Sequence, residues 1–172
     1  MNLEKAFLEK KHIRNEFDCG IESLNNYIKF QASQDVKRKL SVCYVFVDKN
    51  DTVKGYFTLS SSSIPLKKIP KDFSGRLPKS YSNIPVILLG RLAVDNTVSG
   101  KGYGEYLLTD ALNESYNVSK NKIGAFAVIV DPVDDNVISF YEKYGFIKLP
   151  DSGKMFLPMN TIAKLFKAAY NK

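Results

Sequence analysis

Apolar residues along this chain change their spacing several times, and each change marks an element. Residues 11–14 read as a short first strand. Asp18 is a short acidic residue suited to capping a helix, and after it Ile21, Leu24, Tyr27 and Ile28 share one helical face. Lys37, Arg38 and Lys39 close that region with positive charge, which suits the negative end of a helix dipole. Alternation then takes over. Residues 41–48 read as a strand with Val42, Tyr44 and Phe46 on one face, Lys49, Asn50 and Asp51 as a turn, and residues 53–64 as the returning hairpin strand. Residues 65–85 hold four prolines and several lysines and read as a long loop. In a compact domain such a length is usually functional or disordered.

The second half has a different rhythm. Residues 86–94 are nearly all apolar, the mark of a strand covered on both faces. Tyr103, Leu107, Leu108, Ala111 and Leu112 then stripe a helix, and residues 123–130 form a second apolar strand. Asp134 or Asp135 caps a helix carrying Val137, Phe140, Tyr141 and Tyr144. Gly145 turns the chain into another strand, residues 154–157 read as one more, and residues 161–170 as a final amphipathic helix. Hairpins followed by a β-α-β-α-β unit give the α+β class, with a mixed central sheet flanked by helices.

A chain of 172 residues fits a single domain, 1–172, with a sizeable core. No apolar run approaches the roughly 20 residues that span a bilayer. The N-terminal segment lacks the apolar centre of a signal peptide, so a cytoplasmic location without membrane association is expected. Cys19 and Cys43 are too few for a disulfide framework, and each reads as a buried small hydrophobe. Charge is unevenly spread: residues 1–79 carry 15 Lys/Arg against 9 Asp/Glu, whereas residues 80–172 carry 10 against 9. A basic first half suits a large anionic partner, although solvated lysines would give the same numbers.

Between the apolar strand and its helix lies Ser99-Gly-Lys-Gly-Tyr-Gly104. Backbone N–H groups gathered at a helix N-terminus make a phosphate site, and Gly102 and Gly104 let a pyrophosphate come close to the backbone. No Gly-Lys-Ser/Thr follows, which excludes a P-loop. The glycine spacing, Gly-x-Gly-x-Gly, is not that of the dinucleotide-binding fingerprint. Taken alone, the turn is also readable as a tight connection without a ligand, with Lys101 either meeting a phosphate or solvated.

In this frame the chain resembles the GNAT family of acetyl-CoA-dependent N-acetyltransferases, whose signature Arg/Gln-x-x-Gly-x-Gly/Ala opens a helix after a strand. Ser99 stands where the family has Arg or Gln, which removes one side-chain contact and leaves the backbone cradle. The resemblance implies the GNAT (acyl-CoA N-acyltransferase) fold and acetyl-CoA as cosubstrate, held by Ser99, Gly100, Lys101, Gly102, Tyr103 and Gly104. It implies that Leu92, Ala93 and Val94 pair with pantetheine and supply an oxyanion donor, and that Asn136 and Phe140 lie beside the donor. It assigns Tyr141 as the acid that protonates the departing thiolate. Periodicity alone would make Tyr141 a core aromatic in a helical stripe.

A closer resemblance is to the acetyltransferase toxins of bacterial toxin–antitoxin pairs. It is carried by Phe17-Asp-Cys-Gly20, Leu24-Asn-Asn-Tyr27, Gly55-Tyr-Phe-Thr-Leu-Ser60, residues 84–95 and Phe140-Tyr-Glu-Lys-Tyr-Gly-Phe146. That branch implies aminoacyl-tRNA as acceptor, an antitoxin protein as partner and a homodimer. It places Arg76 and Arg91 beside the active site. Lys37, Arg38, Lys39, Lys67, Lys68, Lys71 and Lys79 are further candidates for phosphate contacts, and Arg91 is also readable as an ion-pair partner of Asp95. The lone histidine, His12, reads as a packing or surface residue. No general base is identified, and an α-amino group with a pKa of about 7.7–8.0 does not require one. The competing readings are an acetyltransferase for a small-molecule or protein amine, and a non-catalytic acyl-CoA-binding module.

Overall fold

The computed structural model describes residues 3–170, so the ends of the expected domain 1–172, residues 1–2 and 171–172, lie outside the described residues. Among the described residues seven strands are formed: β1 (Glu4–Phe7), β2 (Val42–Val47), β3 (Val53–Pro65), β4 (Asn83–Val94), β5 (Ala127–Val130), β6 (Ile147–Lys148) and β7 (Met155–Pro158). They hydrogen-bond in the order β1-β2-β3-β4-β5-β7-β6. β1, β2 and β3 are antiparallel neighbours, β4 and β5 are parallel, and β7 is antiparallel to both β5 and β6. The helices are α1 (Glu22–Asn26), α2 (Ala32–Lys37), α3 (Lys71–Ser74), α4 (Tyr103–Asn121), α5 (Asp135–Lys143) and α6 (Met159–Tyr170). The mixed sheet and α+β class expected from the pattern are therefore present. No helix is long and apolar enough to cross a membrane among the described residues.

The first strand is not where the apolar pattern put it. Residues 11–14 contribute one bridge, Ile13 to Thr52, and the strand is β1, whose Glu-Lys-Ala-Phe shows little alternation. Pairing with the buried β2 decides it, in the register Glu4↔Val47 to Phe7↔Tyr44. Asp18 does not cap α1 either: Ile21 is the N-cap. The Asp18 carboxylate instead accepts from the Gly20 amide (2.9 Å) and the Asn25 side-chain amide (2.7 Å), closing an Asx turn. These bonds hold its pKa below the ordinary carboxylate value. Between α1 and α2 the helical run widens into a π-helical stretch, Tyr27–Gln31.

The described chain forms two compact units. The first comprises the chain up to Ser60 together with Leu89–Ala111. Its core joins Cys43, Val45, Val47, Val53 and Tyr56 to Phe17, Tyr27, Ile28 and Ala32. Of the expected face of β2, Tyr44 and Phe46 are buried as well, with rings 4.8 Å and 6.0 Å from Phe57, so β2 is covered on both sides from Cys43 onward, whereas Val42 at its start is exposed. Cys43 is buried as expected, and burial pushes its thiol up to about 12. Cys19 is half-buried against the same core.

The second unit comprises Ser61–Leu88 and the chain from Leu112 onward. Ile64, Ile69, Ile84, Val86, Ala127, Ile129, Leu149 and Phe156 form its core. The 65–85 segment is ordered: a 3-10 turn at Leu66–Lys68 leads into α3, Ile69 is buried, and Phe73 meets Phe156 edge-on at 5.3 Å. Apolar residues at 66, 69, 73 and 77 pin it to the core. β4 begins at Asn83 rather than residue 86, because Ile84 and Val86 are buried while Pro85 faces out. The Pro85 carbonyl accepts from the Phe126 amide (2.8 Å). β5 is shorter than residues 123–130, because α4 continues to Asn121 and Ile123 is exposed. Asp134, not Asp135, caps α5, its carboxylate accepting from the Val137 amide (2.9 Å). The packing makes a direct prediction. Phe156→Ala removes a fully buried ring and is expected to cost about 3–5 kcal/mol. Chemical denaturation checks it, and a loss below about 1 kcal/mol would contradict this core assignment.

Candidate active site

The turn expected to hold a phosphate is anchored by one buried acid in the first unit. Asp95 follows the last residue of β4 and is 4% exposed. Its carboxylate accepts from the Thr97 amide (3.0 Å), from the Thr97 hydroxyl and, through the other oxygen, from the Asp18 amide (3.0 Å). The Lys54 ammonium lies 3.9 Å away and also donates to the Thr97 hydroxyl (3.1 Å). Backbone bonds complete the joint, from the Asp95 amide to the Lys54 carbonyl (2.9 Å) and from the Asn96 amide to the Asp18 carbonyl (2.8 Å). Asp95 thereby caps the 3-10 turn Asn96–Val98 and fixes where the next residues start. Its cationic neighbour is Lys54, so Arg91 is not the ion-pair partner of Asp95.

From that joint the chain enters the glycine turn. Gly100 and Gly102 adopt φ of 73° and 81°, conformations costly for any residue with a Cβ. The Tyr106 amide bonds to the Gly102 carbonyl (3.1 Å), which closes the first turn of α4. A Cβ built at Gly100, Gly102 or Gly104 would meet nothing within 4 Å, so space lies open against this backbone. Successive amides with positive-φ glycines, at the positive end of a 19-residue helix, make an anion cradle. Ser99 and Lys101 are exposed on the same turn, and Tyr103 and Gly104 are half-buried at the start of α4. Such a cradle suits a phosphate or pyrophosphate group. Upstream, β4 pairs with β5 at Ile87 and Leu88 and continues to Val94 beyond that register, with Leu92 and Val94 half-buried and Ala93 buried.

Other candidates in this unit divide. Arg91 lies over the Tyr27 ring, 3.6 Å from its centroid. Lys37 and Arg38 are exposed at the end of α2, with Lys39 at positive φ just after them. His12 is a packing residue: it is buried, its Nδ1 accepts from the Glu9 amide (2.9 Å), and burial is the main cause lowering its pKa.

In the second unit, Tyr141 is buried on α5 with ring centroids of Phe140 and Phe146 at 5.4 Å and 5.1 Å. Burial pushes its phenol up to about 12, so it keeps its proton across the physiological range. Phe140 is half-buried and Asn136 is exposed in the first turn of the same helix. The basic 65–85 segment gathers around clefts. Lys67, Lys71 and Lys79 line one of about 750 Å³, and Lys68 lines a second with Lys154. Arg76 shares a third, of about 640 Å³, with Lys164 and Lys167 of α6. The sequence reading missed Lys164 and Lys167, although their three-residue spacing places both on one helix face.

No family model matches the chain. Among curated proteins it is 32% identical over 164 residues to the probable toxin TacT of Sinorhizobium fredii, covering 90% of each chain. It is also 32% identical over 131 residues to a tRNA-acetylating toxin of Mycobacterium tuberculosis, covering 76% of this chain and 75% of that protein. Among solved structures, AtaT complexed with acetyl-methionyl-tRNAfMet superposes with a TM-score of 0.87 at 29% identity, over 95% of this chain and 99% of that one. A tyrosine-to-phenylalanine AtaT variant bound to the C-terminus of the antitoxin AtaR and acetyl-CoA has a TM-score of 0.80 at 26% identity, over 96% and 99%.

Two measurements check this geometry. Asp95→Asn weakens charge-assisted bonds at a buried joint and is expected to cost about 2 kcal/mol of stability. An unchanged denaturation midpoint would show that the joint does not hold the turn. His12 has a folded pKa below its unfolded value of about 6.5, so its contribution to stability is present above that pH and is lost as pH falls below it. The denaturation midpoint should therefore drop as pH falls below about 6.5, and His12→Gln should flatten the drop. An equal slope in both proteins would contradict the burial of His12 as a neutral ring.

Proposed function

The chain belongs to the family of tRNA-acetylating toxins, and from that membership we propose that it transfers the acetyl group of acetyl-CoA to the α-amino group of an aminoacyl-tRNA. The observation that carries the reading is the open glycine cradle at the start of α4, in a chain that matches acetyltransferase toxins along nearly its whole length. In this reading residues 1–172 act as one acetyltransferase domain. Backbone amides of residues 99–104 hold the pyrophosphate. Extended backbone at Leu92, Ala93 and Val94 ladders with the amides of pantetheine and offers an N–H to the oxyanion. Asn136 and Phe140 flank the donor.

The chemistry needs a neutral amine, a stabilised tetrahedral oxyanion and a proton for the departing thiolate. An α-amine with a pKa of about 7.7–8.0 keeps an appreciable neutral fraction at physiological pH, so no dedicated base is required. The amine nitrogen attacks the thioester carbonyl, the C–S bond breaks, and the nitrogen sheds one proton while the sulfur gains one. Tyr141 donates to the sulfur, and the proton lost by the nitrogen restores the phenol. Its raised pKa keeps the phenol protonated until the transfer. Arg76, Arg91, Lys37 and Arg38 contact RNA phosphate, which makes acceptor binding salt-sensitive. AtaT has been solved with the antitoxin AtaR, and an antitoxin partner is proposed here too, as is a homodimer that extends the basic surface. The substrate places the activity in the cytoplasm.

Labelled acetyl-CoA supplied with a pool of charged tRNA should transfer label to charged tRNA alone, leaving uncharged tRNA and free amino acids unlabelled. Label on none of these would refute the tRNA reading. In the same assay Tyr141→Phe should lower turnover by about 10²–10⁴-fold while acetyl-CoA affinity stays within about twofold. Unchanged turnover would remove Tyr141 from the acid role.

A further inference from the structure

Arg91 leads β4 into Leu92, Ala93 and Val94, and its setting brings in a residue with no part in the chemistry above. The guanidinium carbon lies over the Tyr27 ring, 3.6 Å from its centre, at cation–π distance. Tyr27 is 1% exposed. Its hydroxyl donates to Asp35 (3.0 Å) and lies 3.3 Å from the Ser41 hydroxyl. Burial holds the phenol above its ordinary pKa, so it remains a donor toward Asp35. The Tyr56 ring stacks against it at 6.2 Å, and the Tyr56 hydroxyl is itself fixed by a 2.8 Å bond to the Leu24 carbonyl.

Tyr27 also opens the π-helical stretch, in which the Ala32 amide reaches back to the Tyr27 carbonyl. Such widened turns are rare and often accompany functional positions. Arg91 is half-buried, and among the described residues it has no carboxylate in ion-pair range. A guanidinium fixed by its face and unpaired at its edge is set up for a planar, bidentate anion, which a lysine could not match.

Resting on the tRNA reading above, we infer that Tyr27 is a positioning residue for the acceptor: its ring holds the Arg91 guanidinium flat, so that the N–H edge meets a phosphate of the incoming RNA. The Asp35 bond keeps the ring in place, so a signal for RNA binding is built into a residue that counts by burial as core.

Steady-state acetylation of charged tRNA tests this. Arg91→Lys and Tyr27→Leu are each expected to raise KM for charged tRNA about tenfold, with kcat and KM for acetyl-CoA moved far less. Tyr27→Phe, which keeps the ring, should recover most of the loss seen in Tyr27→Leu. The slope of log KM against log salt should shrink by about one for Arg91→Ala and stay unchanged for Tyr27→Leu, which removes no charge. Should Tyr27→Leu fail to fold, Arg91→Lys decides, because it keeps charge and loses the plane. A KM for charged tRNA unchanged in Arg91→Lys, or equal effects of Tyr27→Leu on both KM values, would overturn the inference alone. No transfer to charged tRNA by the unaltered protein would overturn the tRNA reading and this inference together.

Discussion

The Asp95 carboxylate accepts from the Asp18 amide and from both Thr97 donors while facing the Lys54 ammonium, and the placement of the glycine turn depends on that joint. Burying a carboxylate costs several kcal/mol unless charge-assisted hydrogen bonds and a counter-charge offset it. Here three donors and one cation supply the offset, which is satisfied only when β3, the residue 17–20 segment and the end of β4 are all in place. The demand for complete satisfaction makes the joint specific. Downstream of it the two positive-φ glycines bend the chain into α4, and a misplaced Asp95 would aim their amides elsewhere.

Most of the architecture was legible because it rests on spacing. The helical stripe from Tyr103 to Leu112 and the apolar strand ahead of it were readable, since buried faces in a sheet and helix demand such periods. β1 was not, because Glu4, Lys5, Ala6 and Phe7 show no pattern of their own and owe their strand conformation to β2. The 65–85 segment misled for the opposite reason. Prolines and lysines dominate its composition, yet Leu66, Ile69, Phe73 and Leu77 pack on the second core. Asp18 looked like a helix cap, and its carboxylate is used by Gly20 and Asn25 instead. Which carboxylate wins a given amide is settled by tertiary geometry, and no local motif encodes it.

The candidate site divides along the same line. The glycine turn could be read from residue type and spacing, because glycine takes that backbone at least cost and a helix start gathers amides closely. Tyr141 could be singled out only by resemblance, since burial and stripe make it look like any core aromatic. Burial raises its pKa, so the phenol holds its proton, as an ordinary phenol also does at neutral pH. Tyr27 was legible only as the last residue of Leu24-Asn-Asn-Tyr27 and as part of a helical stripe, and that apolar-face position hid the guanidinium lying over its ring. Basic residues scattered in sequence gather around shared clefts, and that gathering arises from α3 and α6 rather than from any charged run.

In the proposed function the Asp95-anchored turn is a pyrophosphate cradle. Calorimetric titration with CoA and with pantetheine, which shares the arm and lacks the pyrophosphate, tests it most directly. Several charge-assisted amide contacts at about 1.5–3 kcal/mol each predict that CoA binds at least about a hundredfold tighter. Equal affinity for the two would contradict the account, because the turn would then contribute nothing to holding the donor.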